Sequence, residues 1–119
     1  DGGGWTLVRH TAGSGGWAPW NDNLAGTAQH GEKGDGSSGH HWTVKWHTTP
    51  RHFLFAFPDC SKWLIAEPGK VFGTYSNEGR WIVKSSRQNS AYKAKWYSRS
   101  SNPEDPWIST TDHATAKEG

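Results

Sequence analysis

The chain has 119 residues and a formal net charge of +2, the size of one small domain. Val, Leu, Ile and Phe together number 15, whereas Trp, Tyr and Phe number 16, nine of them Trp. So few aliphatics would suit a disordered chain, but disorder also needs high net charge and few aromatics. Each buried aromatic removes roughly 150–250 Å² from water, so the composition predicts a folded domain, residues 1–119, with an aromatic core.

Other classes are excluded on the same grounds. No apolar run approaches the roughly 20 residues a helix needs to cross a bilayer. Lys and Arg are scattered and the net charge is small, so no nucleic-acid partner is expected. The single cysteine, Cys60, permits neither an intrachain disulfide nor a multi-cysteine zinc site. The chain opens at Asp1 in glycines, with no initiator Met and no apolar signal segment. It therefore reads as a mature or excised piece, a fragment or repeat of a longer chain.

Apolar residues never recur at helical spacing over a useful length, and Gly or Pro interrupts most longer stretches. Short aromatic and β-branched runs recur instead, and in chain order they predict strands over Trp5–His10, Trp42–His47, His52–Phe57, Lys62–Ala66, Val71–Ser76, Arg80–Lys84, Ala91–Tyr97 and Trp107–Thr110. Alternation puts Trp42, Val44 and Trp46 on one face and Thr43, Lys45 and His47 on the other. Phe53, Phe55 and Phe57 share a face with Leu54 and Ala56 opposite, which predicts a strand covered on both sides. Tyr92, Ala94 and Trp96 against Lys93, Lys95 and Tyr97 repeat the half-buried pattern.

Glu67-Pro68-Gly69-Lys70 suits a type II turn, and Ser76-Asn77-Glu78-Gly79 a hairpin loop with Gly79 free to take positive φ. Two stretches read as polar loops: residues 11–41, which hold more than half of the glycines and no Val, Leu or Ile besides Leu24, and residues 98–106. The expected fold is all-β: a small antiparallel sandwich or barrel of about eight short strands, with a meander through residues 42–97 and long Gly-rich loops.

Gly2-Gly3-Gly4-Trp5-Thr6-Leu7-Val8 resembles the opening strand of fibrinogen-related domains, including the intelectin lectins. The resemblance spans these seven residues. It implies an extracellular, mostly β domain of a kind that often recognises carbohydrate or acetyl groups through calcium. The chain is much shorter than those domains and lacks their paired cysteines. It has no counterpart to the half that carries their calcium and ligand residues, so no site residue transfers.

Chemistry-bearing constellations are sparse. The seven histidines follow no zinc spacing and read as solvent-facing side chains on polar strand faces. Asn21-Asp22-Asn23, Asp35, Glu104, Asp105 and Asp112 offer oxygens to a structural calcium, but such residues more often close turns on their own backbone. No metal ligand and no cofactor is expected. Cys60, between two strands, reads as a buried small residue. No nucleophile elbow, facing carboxylate pair or phosphate-cradling loop occurs, so no catalytic residue is expected and the chain reads as a non-enzyme.

The tryptophans divide. Trp5, Trp42, Trp46, Trp63, Trp81 and Trp96 fall in strands and are assigned to the core. Trp17, Trp20 and Trp107 are left over, and with Asn21 and Asp22 they form the candidate ligand site. Aromatic rings stack on sugar C–H faces while nearby polar groups bond the hydroxyls. The expected function is a secreted, lectin-like recognition or adhesion module that binds glycans at the cell surface or outside the cell. The alternative is a structural subunit of a fibre or matrix, assembling with copies of itself through β edges and exposed aromatics. Ser and Thr are available for O-glycans; Asn89-Ser90-Ala91 and Asn102-Pro103 are not N-glycosylation sites.

Overall fold

Strands of two to six residues cannot stand alone; each needs partners for its backbone groups and a covered face for its apolar side chains. The computed structural model describes residues 4–12, 24–34, 39–71, 78–97 and 107–109. There the chain satisfies both needs with eight strands, all pairing antiparallel, and one helical turn. In order these are β1 (Arg9–His10), β2 (Trp42–Thr43), β3 (Phe53–Ala56), β4 (Trp63–Ala66), α1 (Pro68–Val71), β5 (Glu78–Ile82), β6 (Lys84–Ser85), β7 (Tyr92–Tyr97) and β8 (Trp107–Ser109). The all-β class follows directly.

β1 and β2 form a small two-stranded sheet, with Arg9 opposite Thr43 and His10 opposite Trp42. Thr43 also bridges to His30 on its other side, through His30 N–H to Thr43 O at 3.2 Å and Thr43 N–H to His30 O at 2.9 Å. Thr43 is thus enclosed from both edges, and its hydroxyl accepts from Arg9 Nε at 3.2 Å and donates to Val8 O at 3.4 Å. This overrides the expected alternation: Trp42 and Thr43 are both buried, and the strand covers two residues rather than six.

The meander is present from β3 onward and excludes β2. β3 and β4 make a hairpin, Phe53 opposite Ala66 and Ala56 opposite Trp63. β4 then pairs with β6, and β5 pairs with β7, which pairs with β8. β5 and β6 are consecutive segments of one strand bent at Val83, whose N–H donates to Ile65 O at 2.8 Å. Residues 78–82 run beside β7 while residues 84–85 run beside β4. One bent strand therefore belongs to both three-stranded sheets, the device by which strands turn corners between sheets.

Two turn expectations are corrected. Glu67-Pro68-Gly69-Lys70 is no type II turn: Lys70 and Val71 N–H both donate to Glu67 O, at 2.9 and 3.2 Å, winding the chain into α1. Pro68 at the first helical position fits because its missing N–H would be unpartnered there anyway. Gly79 lies inside β5, opposite Lys95, and takes no positive φ. The rest of the predicted 71–76 strand, Ser76, Asn77 and the 98–106 loop lie outside the described residues.

The core cluster contains Leu24, Phe53, Leu64, Ala66, Val71, Ile82 and Ala94, with Trp46, Phe55 and Tyr92 packed against it. Phe53 is the buried aromatic of this cluster among six aliphatics, Trp46, Phe55 and Tyr92 are half-buried against it, and Trp42 is fully buried outside it. Leu24, from the Gly-rich stretch, enters this core in a left-handed conformation (φ 62°). Burial along β3 falls from Phe53 to Ala56, and Ala56 and Phe57 are both exposed at the hairpin end, so the two-sided cover expected there stops short of Ala56.

Candidate functional site

Of the expected ligand residues, Trp17, Trp20, Asn21 and Asp22 lie outside the described residues. Trp107 opens β8, opposite Tyr97. Of the tryptophans assigned to the core, Trp42 is fully buried, and Trp46 and Trp63 are half-buried. Trp96 pairs with Glu78 and Ile108 within its sheet. Trp5 and Trp81 contradict the assignment, being 42% and 51% exposed. Trp5 precedes the paired region, which among the described residues begins where Val8 O accepts from Val44 N–H. Trp81 is excluded from the core by parity: its neighbour Ile82 is 2% exposed and fills the inner face, so position 81 takes the other side of the pleat.

Trp81 is therefore a large ring on the outer face of a sheet. Directly opposite is Lys93, and Gly79, two residues back, faces Lys95, which in turn faces Ser109. Tyr97 and Trp107 occupy the next pair of the same parity. The rows run Trp81–Lys93, Gly79–Lys95–Ser109 and Tyr97–Trp107. With about 3.3 Å per residue and about 4.8 Å between strands, positions 81 and 107 lie about 16 Å apart diagonally across the sheet.

Gly79 makes room for Lys93 on this face. A Cβ added at position 79 would lie 3.3 Å from Lys93 Cβ and 3.5 Å from its Cδ. The aliphatic stem of Lys93 thus occupies the space over the glycine, and half of the Trp81 surface remains accessible.

The other conspicuous groups have structural uses. His41 Nδ1 accepts from Ala12 N–H at 3.0 Å, and His10 Nδ1 donates to His40 O at 3.1 Å while its ring stacks on Trp42. Among the described residues no group of three His, Cys, Asp or Glu side chains is arranged to hold a metal. Cys60 is exposed rather than buried. It sits at the β3–β4 tip in the left-handed region (φ 57°), its N–H bonded to Phe57 O at 2.9 Å, so the turn holds it away from the sheets.

Beside Cys60, Asp59 Oδ1 accepts from the Ser61 N–H at 2.9 Å and from the Ser61 hydroxyl at 2.7 Å. The backbone bond first, the hydroxyl second and the Lys62 charge more weakly hold this carboxyl below its ordinary value of 3.8. Lys62 Nζ stands 5.3 Å from the centre of the Phe57 ring, a cation–π contact that closes the hairpin.

No family model matches the chain, and no match was found among curated proteins or solved structures.

Proposed function

We propose that this chain is a non-catalytic, extracellular recognition module that binds carbohydrate on the outer face of β5, β7 and β8. The observation that carries the reading is Trp81, 51% exposed on a strand whose neighbouring residue is core. A soluble domain gains from burying an indole, and leaving one accessible on a flat sheet provides a stacking surface for the C–H face of a sugar ring. Lys93, its stem lying over Gly79, supplies a donor for hydroxyl or ring oxygens beside Trp81. This moves the stacking role from loop aromatics to a strand aromatic.

The test is a glycan array, followed by titration of tryptophan fluorescence with any glycan retained. The parent should bind and shift its emission; Trp81→Ala should lose binding by about tenfold or more, as central interface tryptophans do, and keep its melting temperature. Equal binding by the variant, or no glycan bound by the parent, defeats the reading.

A second reading is favoured by a different observation. Trp5 and Leu7 are both exposed, at 42% and 45%, on the segment leading into β1. In a structural subunit of a fibre or matrix they would be covered by a neighbouring copy. A strict monomer by light scattering at high concentration would rule that assembly out.

A further inference from the structure

A sheet edge presents a row of unpaired N–H and C=O groups, and proteins blunt such edges with charge, proline, bulges or brevity. Among the described residues β1, β5 and β6 follow this rule. β1 carries Arg9, β5 carries Glu78 and Arg80, and β6 carries Lys84; β1 and β6 are also only two residues long. β2, at the other margin of its sheet, is capped by the bridge to His30. β3 has none of these protections. Phe53-Leu54-Phe55-Ala56 is four residues long, pairs with β4 on one side, and contains no charge, Gly or Pro.

The ladder determines which residues face outward. Phe57 N–H donates to Lys62 O at 2.9 Å, so in the alternating antiparallel pattern Phe55 and Phe53 exchange bonds with Leu64 and Ala66 of β4. The backbone groups of Leu54 and Ala56 therefore point away from β4, and among the described residues nothing pairs with them. The Leu54 side chain is half-buried, Ala56 is exposed, and Phe57, next on the phenylalanine face, is 37% exposed.

We propose that β3 pairs antiparallel with β3 of a second copy about a twofold axis at Phe55, joining two three-stranded sheets into one. Leu54 of each copy then exchanges both backbone bonds with Ala56 of the other. Phe55 meets its own counterpart across the axis, and Phe53 stands opposite Phe57 of the second copy, which covers the exposed ring. The ladder ends at Pro58, which has no N–H to give. In continuation of the same register Arg51, which is exposed, stands opposite Asp59 of the second copy, and symmetry repeats that pair of opposite charges. This complementarity of the segment with itself selects a second copy over an unrelated strand. The pairing is independent of the carbohydrate reading and, being closed by its axis, distinct from open assembly through Trp5 and Leu7. A four-residue strand makes a small interface, so the association is weak and concentration-dependent.

Sedimentation velocity and light scattering over rising concentration test it. The parent chain should pass from monomer to dimer and go no further. Ala56→Lys puts a charge on the edge, and Ala56→Pro removes an outward donor without touching the β4 ladder. Each should weaken dimerisation about tenfold or more and keep the circular dichroism of the parent. Arg51→Glu and Asp59→Lys should each weaken it about threefold or more alone. An equimolar mixture of those two variants should restore a heterodimer, because opposite charges then meet at both ends.

A chain still monomeric at about 1 mM overturns the proposal, as does a dimer that both Ala56 variants leave intact. Larger assemblies that need Trp5 and ignore Ala56→Lys would support the fibre reading and overturn this one. Dissociation by Ala56→Lys with no rescue in the charge-swapped mixture would overturn the axis at Phe55.

Discussion

Gly26 lies against the indole of Trp46, closely enough that a Cβ at position 26 would overlap the ring atoms Cε2 and Cδ2. The contact is locked from both sides. Trp46 N–H donates to Gly26 O at 3.1 Å, and Gly26 has a φ of 78° two residues after the left-handed Leu24. The Gly-rich stretch thus joins the core at two points, Leu24 inside the cluster and Gly26 against Trp46 at its edge.

The first prediction follows. Gly26→Ala meets both left-handed strain of about 1–2 kcal/mol and overpacking of about 1–3 kcal/mol, so urea unfolding should show a loss of about 3 kcal/mol. Gly69→Ala is the control. An added Cβ there meets nothing within 4 Å and the residue sits in α1, so it should be neutral or stabilise by up to about 1 kcal/mol. Equal effects at the two sites would show that the Trp46 contact does not set the cost.

Adjacent residues on β5 should separate stability from binding. Ile82 is 2% exposed in the core cluster, and Ile82→Ala should cost about 2–5 kcal/mol by calorimetry or urea melts. Trp81→Ala should change stability by less than about 1 kcal/mol, as surface substitutions do. A large destabilisation by Trp81→Ala would mean that the ring is structural.

Ser85 and Tyr92 should be energetically coupled. Their oxygens are 2.8 Å apart, Ser85 is buried, and its Oγ also accepts from Arg87 N–H at 3.1 Å. Ser85→Ala strands two groups and should cost about 1–3 kcal/mol. Tyr92→Phe leaves Ser85 bonded to Arg87 and should cost less. A double-mutant cycle should give a coupling of at least about 0.5 kcal/mol; additive effects would show that the hydroxyl contact contributes nothing.

Acid should act on the β3–β4 tip through Asp59. Its folded value is depressed by the Ser61 bonds, so its contribution is present above the unfolded value of 3.8 and fades as pH falls through the lower folded value. Carboxyl-carbon NMR should place the Asp59 midpoint below 3.8. Ser61→Ala removes the hydroxyl and keeps the backbone donor, so the midpoint should rise part of the way back. An unmoved midpoint would assign the depression to the backbone bond alone.

The sequence makes the strands legible where short apolar or alternating runs stand between turn residues. Phe53–Ala56, Trp63–Ala66 and Tyr92–Tyr97 fall inside the predicted runs, the first two apolar on both faces and the third alternating. Legibility ends where two solutions share one pattern. Pro68-Gly69 satisfies a type II turn and the first turn of a helix equally, and only the second bond to Glu67 O distinguishes them. Trp81-Ile82-Val83 is apolar on both faces, so nothing local says that the smaller Ile82 goes inward and leaves the indole outside. The same ambiguity hid the bend at Val83, which depends on β4 and β7 competing for one strand from opposite ends. The register that sets Trp107 opposite Tyr97, and β7 beside β5, is one that no local spacing encodes.

The bend at Val83 also determines how the molecule would carry a mechanical load. A force applied at Trp81 enters β5 and passes along covalent backbone into β6, and so reaches β4 through the hydrogen bonds of residues 83–85. An attachment made on the outer face would thus be anchored in both sheets at once, through the β7 ladder and through the bonds to β4.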